Sequence, residues 1–184
     1  EAIKSGKADK SIYALALQLL KDEMMVDEQI DTMRAEVDQF PKNKEVLRQL
    51  ADLLKETKRT DEAAKEYERL LVNNPDDKES RLSLIETYTS MRKFDSAIVH
   101  SKALLTQQPN DPKVILQLSS LYYWNDQYKE AADVYLRLVK QDGEDSTTRV
   151  RLADMYTKAN QHVEAAVHLA EAVRLLPDSL PLRQ

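Results

Sequence analysis

The chain has no cysteine among its 184 residues. Disulfides, thiolate metal sites and cysteine nucleophiles are therefore excluded, and the redox compartment is left open. Glycine is nearly absent too, with Gly6 and Gly143 alone. Tight β-hairpin turns need residues that tolerate positive φ, so a hairpin-rich sheet is not expected. A phosphate-cradling glycine loop cannot be written with two distant glycines. No apolar run approaches the roughly 18–20 residues that cross a bilayer, so no membrane insertion by this segment is expected. Cationic excess is missing as well: 27 Lys and Arg stand against 32 Asp and Glu, net −5, which argues against a nucleic-acid partner. Residues 1–20 show no signal-peptide pattern, and the chain starts at Glu1, which reads as processing or as excision from something longer. What is present is 42% hydrophobic and 32% charged residues at a mean hydropathy of −0.60, the composition of a helical chain in water.

The few prolines are periodic. Pro41, Pro75 and Pro109 are evenly spaced, Pro177 stands two such steps further on, and the missing member of the series falls on Gly143. A helix breaker thus recurs once in about 34 residues, flanked by turn-forming pairs such as Asp76-Asp77 and Asn110-Asp111. Other columns keep the same step: Ala63, Ala97, Ala131 and Ala165; Leu50, Leu84, Leu118 and Leu152; Leu70, Leu104, Leu138 and Ala172; and Tyr88, Tyr122 and Tyr156, with Leu54 in the matching place one unit earlier. Within a unit the apolar steps are three and four, as in Ile115, Leu118 and Tyr122, then Ala131, Tyr135 and Leu138, so each set lies on one helix face. Polar breaks at Lys58-Arg59-Thr60, Arg92-Lys93, Asn125-Asp126-Gln127 and Asn160-Gln161 divide each unit into two helices joined by a short turn. Carboxylates follow these breaks, at Asp61, Glu62, Glu130 and Glu164, where they complement the helix dipole.

With these residues in place, the chain resembles the tetratricopeptide repeat (TPR) family, whose unit of about 34 residues is a pair of helices. The family pattern of a large residue at position 4, Leu at 7, a small residue at 8, Tyr at 11, Ala at 20, an aromatic at 24, Ala at 27 and Pro at 32 is met from Lys44 by Leu47, Leu50, Ala51, Leu54, Ala63, Tyr67, Leu70 and Pro75. The resemblance divides the chain into a preceding helix end or linker (1–9), a divergent repeat (10–43), four repeats (44–77, 78–111, 112–145, 146–179) and a truncated tail (180–184). Departures are Ile85 and Ser119 at position 8, Ser101 at position 24, Gly143 for proline, and Gln29 and Glu36 for the alanines of the divergent repeat. The implied fold is all-α, a right-handed superhelical solenoid of TPR helix hairpins. One hairpin cannot bury its apolar face alone, so stacked neighbours complete the core. Neither end carries a polar cap, which reads as a segment of a longer array.

In this family the first helix of each pair lines a concave groove, by resemblance at positions 2, 5, 9, 12 and 13. Here those positions give Arg48, Asp52, Lys55 and Glu56, then Leu82, Glu86 and Thr89, then Leu116, Ser120, Tyr123 and Trp124, and finally Val150, Asp154, Thr157 and Lys158. The middle is apolar and aromatic. Tyr123 and Trp124 are either anchors for a protein or peptide partner or packing against the turn of the adjacent repeat. The family's clamp for a C-terminal carboxylate needs Lys at position 5 and Asn at 9. Position 5 reads Ala14, Arg48, Leu82, Leu116 and Val150 here, and the cations Lys113 and Arg151 stand in different units, so that chemistry is disfavoured.

Catalysis finds no footing. His162 and His168 are six apart, off the i, i+4 metal spacing, and His100 stands elsewhere. Carboxylates read as solvated faces, and Ser146-Thr147-Thr148 read as helix capping. No metal or other cofactor and no enzymatic activity are expected. The leading reading is an interaction scaffold. A second follows from Leu121 to Ala131, a stretch similar to the periplasmic TPR arrays of Pel-type bacterial exopolysaccharide export proteins. That resemblance implies a periplasmic or cell-envelope location and a polysaccharide-modifying enzyme as partner. A third reading is the regulatory TPR arm of a larger enzyme such as a transferase.

Overall fold

The structure is a computed structural model that describes residues 3, 8–141 and 145–175. All regular structure among them is helical: α1 (Lys10–Asp22), α2 (Val26–Gln39), α3 (Lys44–Glu56), α4 (Thr60–Asn73), α5 (Lys78–Ser90), α6 (Phe94–Gln107), α7 (Pro112–Trp124), α8 (Tyr128–Gln141), α9 (Ser146–Lys158) and α10 (His162–Arg174). Pro41, Pro75 and Pro109 fall between helices, where the missing N–H costs no intrahelical bond. The breakers expected at Gly143 and Pro177, residues 180–184 and the helix end expected at Ala2 lie outside the described residues. Ala8 and Asp9 are non-helical, and Asp9 caps α1.

Two compact units divide the chain. In the unit comprising residues 1–91, α1 to α4 each pack on the helix that follows. In the unit comprising residues 92–184, α6 to α9 do the same. The repeated columns are the core of both. Leu47, Leu50, Leu54, Tyr67 and Leu70 are buried in the first, and Ala97, Ile115, Leu118, Ala131 and Leu152 in the second. Alanine at 63, 97, 131 and 165 is buried each time, the small side chain allowing close helix approach. Ser119 serves the same end and donates its hydroxyl to the Ala131 carbonyl at 2.9 Å, so a polar atom is buried without loss of a hydrogen bond.

The helix ends are built from two recurrent devices. Four of the five first helices start on an aspartate, while α3 follows Asn43, whose side chain makes no capping bond. Asp9 accepts from the Ser11 and Ile12 N–H groups, Asp77 from Ser80, Asp111 from Lys113, and Asp145 from Thr147 and Thr148. This corrects the capping expected of Ser146-Thr147-Thr148, which lie inside α9 with Thr147 and Thr148 as donors, while Asp145 supplies the oxygen. Ionised Asp is the stronger cap because the bond is charge-assisted and the helix dipole favours it. First helices end on a residue in the left-handed region: Met24, Lys58, Arg92, Asp126 and Asn160, with φ from 56° to 63° and one in each repeat. None is glycine. The next N–H reaches back along the helix, Met25 to Leu20, Arg59 to Leu54, Gln127 to Tyr122 and Gln161 to Tyr156, at 2.8–2.9 Å. These are Schellman bonds, and they offset the steric cost of positive φ by satisfying carbonyls the helix end leaves open.

Candidate functional site

Helical spacing places the groove residues of α7 on one face. Leu116, Ser120, Tyr123 and Trp124 follow steps of four, three and one, and Val150 and Asp154 on α9 are one turn apart. The structure brings these six around a cavity of about 340 Å³, with buried Tyr135 and Met155 as its floor and Arg151 beside it. Asp111 and Asp145 fix the starts of the two helices, and Pro112 occupies the first helical position of α7, where its fixed φ is preorganised.

Polar contacts tie the rim. The Tyr123 hydroxyl donates to Asp154 Oδ2 at 3.1 Å, which links α7 to α9. Tyr123 and Tyr128 meet edge to face at 5.3 Å, and the Lys158 ammonium lies 5.3 and 5.6 Å from their ring centres. The Tyr123 hydroxyl and the Asp154 carboxylate hold the Lys158 pKa above its ordinary value. Trp124 packs one side against Phe94 at 6.1 Å, yet stays 54% exposed. Both sequence-level alternatives are therefore visible in geometry: Tyr123 is held by neighbours, whereas Trp124 keeps half its surface for solvent.

The groove residues of the first unit are arranged differently. Arg48 bridges Asp77 and Glu79. Lys55 pairs with Glu86 at 2.6 Å. Asp52 accepts from the buried Tyr67 hydroxyl, and Leu82 is half-buried on α5. These side chains are occupied by one another instead of framing an open apolar surface. Asp52 also lines a second cavity, of about 520 Å³, with Gln18, Gln29, Met33 and Glu36. Sequence reasoning did not anticipate that cavity, although Gln29 and Glu36 in alanine positions were its signal. Arg151, Tyr135 and Met155 also went unassigned to the groove, because two of them sit in core columns.

His168 stacks on Tyr156 with ring centres 5.6 Å apart and planes at 9°. Burial and the Arg149 charge hold its pKa below the usual histidine value. Among the described residues, no group of three His, Asp or Glu could hold a metal ion. No described helix is long and apolar enough to cross a membrane.

Two tetratricopeptide-repeat family models match adjoining stretches of the chain, residues 44–87 and 88–149. Solved structures are similar across almost the full length. The structure titled MamA 41-end from Desulfovibrio magneticus RS-1 is 16% identical, covers 93% of this chain and 97% of its own, and superposes with a TM-score of 0.60. A crystal structure of MamA protein gives 14%, 95%, 97% and 0.63 in the same order, and MamA from AMB-1 gives 18%, 94%, 93% and 0.64. At such identities the likeness is one of fold. No curated protein matches the chain. The narrower resemblance to exopolysaccharide export proteins finds no support in these comparisons. The repeat columns, the helix hairpins and the two matched models together establish that the chain is a tetratricopeptide-repeat protein.

Proposed function

We propose that the cavity between α7 and α9 is where the chain takes up a protein partner, with Trp124 as the anchor contact. TPR proteins are typically interaction scaffolds and generally non-catalytic, so a protein partner is implied by the family. The observation that carries the reading is the half-exposed Trp124 beside Leu116, Val150 and the cavity. A large aromatic at the edge of an apolar depression gains most from being desolvated by a partner. The depression accepts an apolar side chain, and Asp154, Arg151 and Lys158 around it offer one anion and two cations to the flanking polar groups of a peptide. No specific observation favours an enzyme arm, or recruitment of a polysaccharide-modifying enzyme, over a plain scaffold.

Trp124 is the chain's one tryptophan, so its fluorescence reports the site directly. Peptides selected from a random display library on the folded chain are expected to shift that emission on binding. Trp124→Ala is expected to weaken them tenfold or more, a loss of at least about 1.4 kcal/mol, with helicity and melting nearly unchanged. Unfolding of the variant would show Trp124 to be packing. Retained peptide affinity would place the partner surface elsewhere.

A further inference from the structure

Two core columns of the repeat turn polar on α2. Gln29 stands where the other repeats place Ala63, Ala97, Ala131 and Ala165, and Glu36 where they place Leu70, Leu104, Leu138 and Ala172. The apolar members are all buried, and so are the two replacements, at 9% and 4% exposure. Burying an amide and a carboxylate costs free energy unless their polar atoms are answered. The stack itself needs neither group, since apolar side chains fill these places in the other repeats. Their neighbours answer them only in part. The Gln29 amide donates to the Leu20 carbonyl at 3.2 Å, and Asn43 donates to Glu36 Oε1 at 3.3 Å. Among the described residues, nothing donates to Gln29 Oε1 or to Glu36 Oε2. Lys10 attracts Glu36, but its ammonium sits over the Phe40 ring at 5.4 Å and forms no ion pair with the carboxylate.

Both side chains line the cavity of about 520 Å³ walled by α1, α2 and α3, three helices that are described throughout. Gln29, Met33 and Glu36 follow steps of four and three, so they share one face of α2. Half-buried Leu17 and buried Val46 make apolar wall on α1 and α3. Asp52 brings a second carboxylate from α3, and the Tyr67 hydroxyl occupies only its Oδ1. Exposed Glu56 adds a third carboxylate at the rim. The rim amides spend nitrogen elsewhere, Gln18 on Asp22 and Gln49 on Glu45, both at 2.9 Å. Lys21 is the one cation of the lining, and it pairs with none of these carboxylates. Other cations of this unit's groove residues are engaged, Arg48 by Asp77 and Glu79, and Lys55 by Glu86. The cavity therefore offers acceptors in excess around an apolar wall.

We propose that this cavity receives an arginine side chain of a protein partner. Its guanidinium would sit among Glu36 Oε2, Gln29 Oε1 and Asp52 Oδ2, with its methylene stem along Met33 and Leu17. Charge complementarity selects a cation, and a charged donor makes the strongest hydrogen bonds to a carboxylate. Arginine suits the site better than lysine. Its planar fork carries five donors, enough for acceptors on two helices, and it is more weakly hydrated than an ammonium, so it enters a partly buried place at less cost. Its long stem also covers apolar wall while the head is held. The residues involved share nothing with the cavity at Trp124, so each site can fail without the other.

Titration of the whole isotope-labelled chain with the capped pentapeptide Ala-Ala-Arg-Ala-Ala, followed by amide NMR shifts, tests the proposal. Saturable shifts are expected at the lining positions of α1, α2 and α3. A peptide with citrulline for arginine keeps the shape, loses the charge and should bind roughly tenfold more weakly. A lysine peptide should fall between the two. Glu36→Gln should weaken the arginine peptide by a similar factor, with circular dichroism unchanged. Glu56→Gln, on the exposed rim, should weaken it less and serves if the buried change disturbs folding. Trp124→Ala should leave this binding as it is. Missing shifts on α1 to α3, a citrulline or lysine peptide that binds as well as the arginine one, or full affinity in both glutamine variants would each overturn the proposal. So would loss of binding in Trp124→Ala, or uptake of agmatine without uptake of the peptide, which would assign the pocket to a free small molecule.

Discussion

Arg48 on α3 reaches the carboxylate of Asp77, the residue that caps α5, and so fastens the start of one hairpin to the body of the previous one. The same guanidinium extends to Glu79. Asp77 thus serves two structures at once: its Oδ1 accepts the Ser80 N–H at 3.1 Å, and its Oδ2 takes Arg48.

Removing that double role should be measurable. Asp77→Ala is expected to lose roughly 1–3 kcal/mol of stability in urea unfolding, from the lost cap and the half-buried Arg48 left with exposed Glu79 alone. Asp77→Asn keeps the cap and should lose less. Burial works to raise the Asp77 pKa, but the Ser80 N–H and Arg48 outweigh it and hold it below the ordinary 3.8. Its contribution is therefore complete above that value and is lost as the pH falls through the lower folded value. Wild type and Asp77→Asn should converge as both are acidified, and a constant gap between them would show the ion pair to be idle.

Glu36 should behave in the opposite sense. It occupies an alanine position of the repeat, is almost fully buried, and accepts from Asn43 at 3.3 Å. Burial raises its pKa against the pull of Lys10 and Asn43. A carboxyl whose folded pKa is raised contributes stability that is fully present below the unfolded value and is lost as pH rises through the folded one. Glu36→Gln is accordingly expected to melt above wild type near neutral pH and together with it below about pH 4. Equal melting across the whole range would mean that the second cavity solvates the carboxylate.

The left-handed turn residues give a third expectation. An L-residue in this region costs about 1–2 kcal/mol, whereas glycine sits there freely and loses about 0.4–1 kcal/mol through a looser unfolded chain. Lys58→Gly, at φ 63° and exposed, should raise the unfolding free energy by up to about 1 kcal/mol. Asn160→Gly should gain less, because asparagine tolerates the conformation better. Destabilisation by Lys58→Gly would show that the lysine side chain itself holds the turn.

The fold was legible because stacking forces the same side chains into the same places. Ala63 and Ala131 are buried for one reason, and the constant repeat step carries that reason through the chain. The site was only half legible. Spacing put Leu116, Tyr123, Trp124, Val150 and Asp154 on facing helices, and the structure gathers them. For Arg48 and Asp52 the same spacing held, but ion pairs and the Tyr67 hydroxyl engage them, and a column of positions carries no information about which side chain of the neighbouring helix will answer. The turns were hidden for another reason. Scarcity of glycine excludes hairpins that need it, yet Met24 and Lys58 enter the left-handed region because backbone bonds close the helix end.

Those closures have a consequence for how the array can change. Since main-chain atoms make the joint at Met24, Lys58, Asp126 and Asn160, its occupants, methionine, lysine, aspartate and asparagine, share no chemistry and owe nothing to each other. At Met24, Lys58 and Asn160 that edge of the hairpin is thereby released from the demands of assembly. It is the place where a dye, a tag or a new loop can be grafted, repeat by repeat, at little expense to the stack behind it.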